Sequence, residues 1–263
     1  MFLSEEDQKL GNEFINNGFI VRPVVNSDSL MSIFDIFFKH IESYTGNPIE
    51  DRVDWLNNTH KYISVDELND FRLKIIMGIN SDQMLRKHYF NLVRPYLETI
   101  VGNELSMQLR VNLSIQMPDD DSSLLPVHAD TWSGDSPFEV VVWVPLVDCY
   151  RTKTMFILPP SKTTDLNKNF KDLAGQSSES LFASIENDLE WLEIKQGEIL
   201  IFNQALPHGN RINRESETRW SMNCRFKGVF TPFADKKIGE FFEPITLRPM
   251  SKLGIEYRHP SVK

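Results

Sequence analysis

The sequence predicts an α+β fold with a mainly β core, namely a double-stranded β-helix (jelly roll) with flanking N-terminal helices. Apolar residues recur at helical spacing through much of the first hundred positions. From Leu105 onward, apolar and polar residues alternate in short segments that proline and glycine separate. The chain has 263 residues, of which 41% are hydrophobic, so it can bury one large core. We expect a single domain over residues 1–263, with a helical flank and first strand (1–104), a jelly-roll core (105–230) and a C-terminal tail (231–263).

The start of the flank carries clear helix signals. Ser4 and Asp7 form a capping-box pattern that predicts a helix to about Asn17, and Gly18 is placed to end it. A short strand, Phe19–Pro23, should follow.

Two further helices are predicted before the core. Ser27 or Asp28 can cap a second helix with a regular apolar stripe, and Ser64 begins another capping-box pattern. A helix over residues 81–101 should either kink at Pro95 or carry that proline near its last turn.

The predicted core begins with residues 107–117, where one face is apolar and the other polar. Such a strand either faces solvent or lines a polar cavity. A polar, partly helical insertion over residues 161–190 is equally consistent with a lid and with a solvated surface segment. Later strands are expected over 138–146, 154–158, 191–194, 198–203 and 219–230.

Composition limits the partners and the location. The net charge of −9 and pI near 5.2 argue against nucleic acid or an anionic membrane as a partner and leave a small-molecule substrate. Cys149 and Cys224 lie far apart in apolar runs, so we expect buried free thiols and a cytoplasmic protein. The N-terminus shows no secretion signal, and no apolar run reaches membrane-spanning length.

A candidate metal site consists of two histidines and one carboxylate. His128 and Asp130 lie two positions apart, so in an extended segment they share a face, and His208 ends a predicted buried strand. Two imidazoles and a carboxylate leave half of an octahedral coordination sphere open, which is typical of non-haem Fe(II) oxygenases. The alternatives are an unmetallated polar cluster and a structural Zn(II) site.

The strand that follows His208 carries a second set of polar residues. Arg219 and Ser221 lie on one face, which Asn223 and Arg225 continue, while the residues between them are apolar. This alternation is what the wall of a barrel with a polar lumen requires. Arg219 could also serve only as an ion-pair partner between strands.

With these motifs, the chain resembles the Fe(II)- and 2-oxoglutarate-dependent dioxygenases, and among them the phytanoyl-CoA hydroxylase-like branch. The resemblance rests on residues 18–23, on the metal motif at 127–130 and on the distal half at 197–226. The most specific part is the basic residue eleven positions after the distal histidine, which is Arg219 here. Residues 132–146 also resemble a subgroup associated with bacterial carbohydrate-biosynthesis clusters. Residues 158–162 (LPPSK) depart from the Pro-Gly-Ser-His turn that is frequent in the branch.

The resemblance implies roles for these residues. Fe(II) would be held by His128, Asp130 and His208, and the far carboxylate of 2-oxoglutarate by Arg219 with Ser221. A planar carboxylate suits a bidentate guanidinium better than an ammonium group.

Further contacts are expected from the two polar strand faces. Gln116 is the first candidate for the cosubstrate because it should lie nearest the metal motif, followed by Asn112 and Asn223. Trp132 and Arg225 are candidates for substrate contacts, although an aromatic residue such as Trp132 is as often plain packing.

The implied reaction uses O2 and 2-oxoglutarate to hydroxylate a small polar substrate, with release of succinate and carbon dioxide. Since a carboxylate is retained at Asp130, hydroxylation or desaturation is favoured over halogenation. The expected substrate is a sugar or nucleotide-sugar intermediate. The alternatives are an amino acid or natural product, a non-catalytic jelly-roll module that binds a small ligand, and a cupin-like metal isomerase or lyase.

Overall fold

The structure is a computed structural model that describes residues 2–173 and 175–260. Three parts of the predicted domain therefore lie outside the described residues: Met1, Ala174 in the insertion, and 261–263 at the end of the tail.

The N-terminal flank is helical, as predicted. It contains α1 (Glu5–Asn17), strand β1 (Phe19–Pro23), α2 (Ser27–Thr45), α3 (Arg52–Asn57), α4 (Val65–Ser81), α5 (Leu85–Asn91) and α6 (Arg94–Ile100). The Ser4 side chain accepts a hydrogen bond from the amide of Asp7, and Gly18 ends α1 in the left-handed conformation at φ 76°. The capping box at Ser64 is also present.

Three details of the flank differ from the prediction. The cap of α2 is Asn26, whose side chain accepts a 2.7 Å hydrogen bond from the Ser29 amide, because Ser27 is already the first residue of the helix. The predicted helix over 81–101 is two helices. Pro95 lies in the first turn of the second helix, where a residue without an N–H costs no helical hydrogen bond. Helix α3 was not predicted.

The remaining strands form two antiparallel sheets. Their bounds are β2 (Leu105–Gln108), β3 (Asn112–Gln116), β4 (Glu139–Pro145), β5 (Phe156–Ile157), β6 (Glu190–Trp191), β7 (Glu198–Asn203), β8 (His208–Gly209), β9 (Arg219–Gly228) and β10 (Phe242–Pro244). The larger sheet has the order β1-β7-β4-β9-β2-β10, with β3 also paired to β9, and the smaller has the order β6-β5-β8.

The strand predicted over 107–117 is divided into β2 and β3, and both pair with β9. Met107 pairs with Phe226, and Asn112 pairs with Asn223. Between these two pairs the β2–β3 segment advances by five residues, whereas β9 advances by three. The extra residues bulge at Val111, whose amide and carbonyl both hydrogen-bond to the side chain of Asn80 in α4. Alternation continued across this break, so the sequence pattern did not show it.

Strand β9 separates the helical layer from the interior. Trp220 is fully buried, its indole N–H donates to Thr59, and its rings lie 5.8–6.4 Å from those of Phe37, Trp55 and Phe71. Arg219, on the opposite face, therefore points between the two sheets.

The insertion contains α7 (Pro160–Lys168) and α8 (Ser178–Ile185). Helix α8 packs on the small sheet, with the Phe182 ring 5.5 Å from that of Phe156. The C-terminal region adds β10 to the edge of the larger sheet and ends with α9 (Pro249–Glu256). Both cysteines are buried and free, as predicted. In the described part of the chain, no helix is both long and apolar enough to cross a bilayer.

Candidate metal centre

The three predicted metal ligands converge. Backbone hydrogen bonds of 3.0 and 2.8 Å in both directions pair His128 with His208, and the Asp130 amide donates to the carbonyl of Gln204 at 3.0 Å. Ala129 between them is extended, so His128 and Asp130 share a face. One potential ligand atom from each of the three side chains lies within 4.8 Å of the other two. Residues eighty positions apart are thus held together by main-chain pairing.

Each histidine is fixed by a local hydrogen bond. The Nδ1 atom of His128 lies 2.8 Å from the carbonyl of Pro126, and that of His208 lies 2.8 Å from the carbonyl of Leu206. A carbonyl only accepts, so each Nδ1 carries the proton and each Nε2 keeps its lone pair. This is the usual outer-shell arrangement of metal-binding histidines.

Burial keeps His208 neutral. It lowers the pKa of His208 to about 4, and the neighbouring His128 acts in the same direction. The imidazole is therefore unprotonated at neutral pH, which is the form that binds metals.

The carboxylate of Asp130 belongs to a buried chain of charges. Arg225 lies 3.0 Å from Asp130 and 3.5 Å from Asp135, and Lys236 lies 2.6 Å from Asp135. Gln204 accepts a 2.9 Å bond from the Nε of Arg225. These contacts compensate the burial of the Asp130 carboxylate, and Arg225 fixes its orientation.

A cavity of about 480 Å³ connects this cluster with Arg219. Its volume lies within the usual range for small-molecule sites. The predicted residues that line it are His128, Asp130, His208, Asn112, Arg219, Asn223 and Arg225.

At the Arg219 end of the cavity, and beside it on β9, buried polar atoms have no partners among the described residues. The guanidinium donates to the carbonyl of Thr154 at 3.1 Å and to the hydroxyl of Ser114 at 3.0 Å. Among the described residues, nothing hydrogen-bonds to the Nε of Arg219 or to the hydroxyl of Ser221. Burial lowers the pKa of Arg219 to about 10, which leaves it charged at neutral pH. Buried donors of this kind are normally satisfied, so the geometry fits an anionic ligand.

Three predicted residues do not line the cavity: Gln116, Trp132 and Ser221, which is buried in β9 opposite Ser114. Gln116 is fully buried opposite Arg219 in the β3–β9 pair and does not line the cavity, because its amide donates to the carbonyl of Arg211. Trp132 lies outside the cavity lining, and its ring is 5.0 Å from that of Phe170 in the insertion. By contrast, Asn112 donates to Asn223 at 2.9 Å within the cavity wall.

Sequence reasoning missed Arg72, Ser123 and Asn210, which also line the cavity. Asn210 lies inside the distal motif, so its spacing from His208 was a usable signal. Arg72 belongs to the amphipathic helix α4, where a cation is ordinarily solvent-exposed, and only the packing of α4 against β3 brings it here.

Comparisons with known proteins give structural likenesses. No family model matches the chain, and no curated protein sequence matches it. HygX from Streptomyces hygroscopicus, solved with nickel and 2-oxoglutarate bound, has a TM-score of 0.51 at 17% identity and covers 88% of this chain and 89% of its own.

Two further structures are similar. The non-haem monooxygenase ThoJ in complex with nickel has a TM-score of 0.51 at 14% identity, over 83% of this chain and 77% of that one. EvdMO1 has a TM-score of 0.54 at 13% identity, over 85% of this chain and 50% of that one. At these identities the likeness shows only that the chain shares its fold with these three proteins.

Proposed function

We propose that the protein is an Fe(II)- and 2-oxoglutarate-dependent oxygenase that hydroxylates a small polar substrate, such as a sugar or nucleotide-sugar intermediate. In this proposal the two sheets are the halves of a double-stranded β-helix. The protein would belong to the phytanoyl-CoA hydroxylase-like branch and would act in the cytoplasm.

One observation carries the proposal. The cavity that holds the His128, Asp130 and His208 side chains also holds Arg219, whose buried Nε has no hydrogen-bond partner among the described residues. A structural Zn(II) site would not require a buried cation across the same cavity. A dianionic cosubstrate that bridges metal and guanidinium would satisfy both ends.

The donor set fits Fe(II). His128 and His208 would offer Nε2 and Asp130 a carboxylate oxygen, which leaves positions open for exogenous ligands. When bound, iron would supply the redox chemistry with O2 that no side chain of this cavity can perform.

The chain's own residues would position the reactants. Arg219 would hold the far carboxylate of 2-oxoglutarate, assisted by Ser221, and would set the distance of the cosubstrate from the metal ligands. Arg225 would orient the Asp130 carboxylate through their ion pair. The apolar side chains of Val141, Phe202 and Met155 in the cavity wall would limit the access of water.

The test is succinate formation by the purified protein. We expect succinate release that requires Fe(II), O2 and 2-oxoglutarate together, and its loss in the variant His208→Ala. The matched control is His259→Ala, at an exposed position near the C-terminus, which should keep full turnover. Absence of succinate in the wild type would favour a ligand-binding module or a metal isomerase. Turnover that survives His208→Ala would remove His208 from the ligand set.

A further inference from the structure

The cavity is rich in cations. Among the described residues that line it, three are arginines, namely Arg72, Arg219 and Arg225, and the one carboxylate is Asp130. Arg225 is paired with Asp130, and the proposed cosubstrate occupies Arg219. Arg72 therefore remains to be explained.

Arg72 has no anionic partner. In the described part of the chain no carboxylate lies within ion-pairing distance of Arg72, whose one hydrogen bond is to the hydroxyl of Ser123 at 3.3 Å. The guanidinium has five N–H donors, so most of them are available to a ligand. Arg72 is half-buried and lines the cavity, so a ligand bound there can reach its free donors.

The wall beside Arg72 is held in place. Ser123 donates to the carbonyl of Ile115 at 2.7 Å, and Asn210 accepts a 2.6 Å hydrogen bond from the amide of Leu125. These bonds tie the segment before His128 to β3 and to the distal motif. Arg72 is thus presented by one helix against a segment that the sheet positions, which favours a defined binding group.

We propose that Arg72 binds an anionic group, a carboxylate or a phosphate, on the primary substrate. The inference rests on the proposed function, because it takes the metal and 2-oxoglutarate to fill the other end of the cavity. It narrows the substrate class to anionic molecules, such as sugar phosphates, sugar acids or nucleotide sugars, and excludes neutral sugars. Arginine suits both groups because its donors match two oxygens at once.

The test uses three probes that share one carbon skeleton: glucose, gluconate and glucose 6-phosphate. Their binding is measured by isothermal titration calorimetry to protein loaded with Mn(II) and 2-oxoglutarate. At least one anionic probe should bind about tenfold or more tightly than glucose, since a hydrogen bond to a charged group is worth that factor. The tighter of the two anions identifies the group.

Variants separate Arg72 from the general charge of the cavity. Arg72→Gln should remove the preference for anions, and Arg72→Lys should restore part of it. The control Arg214→Gln changes an arginine that pairs with Asp119 on the surface and should keep the preference. Thermal unfolding checks that each variant is folded.

Two outcomes overturn the proposal: wild-type protein that binds neither anion more tightly than glucose, or Arg72→Gln protein that keeps the preference. Succinate formation is measured on the same samples. Turnover without a preference for anions refutes the role of Arg72 alone, whereas a preference that depends on Arg72 without turnover refutes the catalytic function alone.

Discussion

Replacement of Arg219 by methionine separates the cosubstrate end of the cavity from the metal end. Methionine has a similar length and suits a fully buried position, but it removes the charge and every N–H donor. Arg219 donates one hydrogen bond to Thr154 and one to Ser114. The Nε–H and one N–H on each terminal nitrogen remain available for a ligand.

The expected magnitude follows from those free donors. A bidentate contact uses two of them, and a hydrogen bond to a charged group contributes about 1.5–3 kcal/mol. The loss is about 3–6 kcal/mol, so the dissociation constant of 2-oxoglutarate should rise by at least about 100-fold. The affinity for metal alone should change by less than about threefold, because Arg219 contacts none of the three proposed ligands.

Isothermal titration calorimetry measures both quantities, with Mn(II) titrated into metal-free protein and 2-oxoglutarate titrated into Mn(II)-loaded protein. Arg214→Met, at an arginine on the surface, is the matched control and should bind 2-oxoglutarate like the wild type. An unchanged affinity for 2-oxoglutarate in folded Arg219→Met protein would refute the assignment. A parallel loss of metal affinity would show that the two ends of the cavity are not independent.

Three other predictions concern stability, measured by urea denaturation. Gly18→Ala should cost about 1–2 kcal/mol, because Gly18 has φ +76° and an added Cβ would lie 2.3 Å from Leu206. Gly11→Ala, in the interior of α1 with open space around it, should instead stabilise by up to about 1 kcal/mol; equal effects would contradict the argument. Trp220→Ala should cost about 3–5 kcal/mol, and a cost below about 1 kcal/mol would mean that the helical layer does not depend on it. Burial raises the pKa of Glu139 from its ordinary value, so the folded state binds more protons and its stability falls as the pH rises above about 4.5. The free energy of unfolding of Glu139→Gln should therefore increase relative to that of the wild type as the pH rises above about 4.5. A difference between the two proteins that does not change with pH would contradict this prediction.

The sequence predicted those parts of the fold that depend on local patterns. The caps of α1 and α4 and the bounds of β1 and β7 follow from neighbouring residues, and the structure has them where they were expected. The bulge between β2 and β3 depends on Asn80, thirty-one positions away, so no local pattern reports it.

The candidate site shows the same division. The spacing of His128 and Asp130 placed both side chains on one face, and alternation along β9 placed Arg219 on the inner face; the role of ligands was implied only by the resemblance. Gln116 follows the same alternation, but its side-chain amide donates a hydrogen bond to the carbonyl of Arg211 and does not face the cavity. Arg72 reaches the cavity only because α4 packs against the sheet. In the sequence it looks like any arginine on the exposed face of a helix.

The most direct test is a crystal structure of the protein grown without oxygen in the presence of Fe(II) and 2-oxoglutarate. We expect one iron bound by the Nε2 atoms of His128 and His208 and by a carboxylate oxygen of Asp130. The far carboxylate of 2-oxoglutarate should contact the guanidinium of Arg219. A metal held by other residues, or 2-oxoglutarate bound away from Arg219, would contradict this expectation.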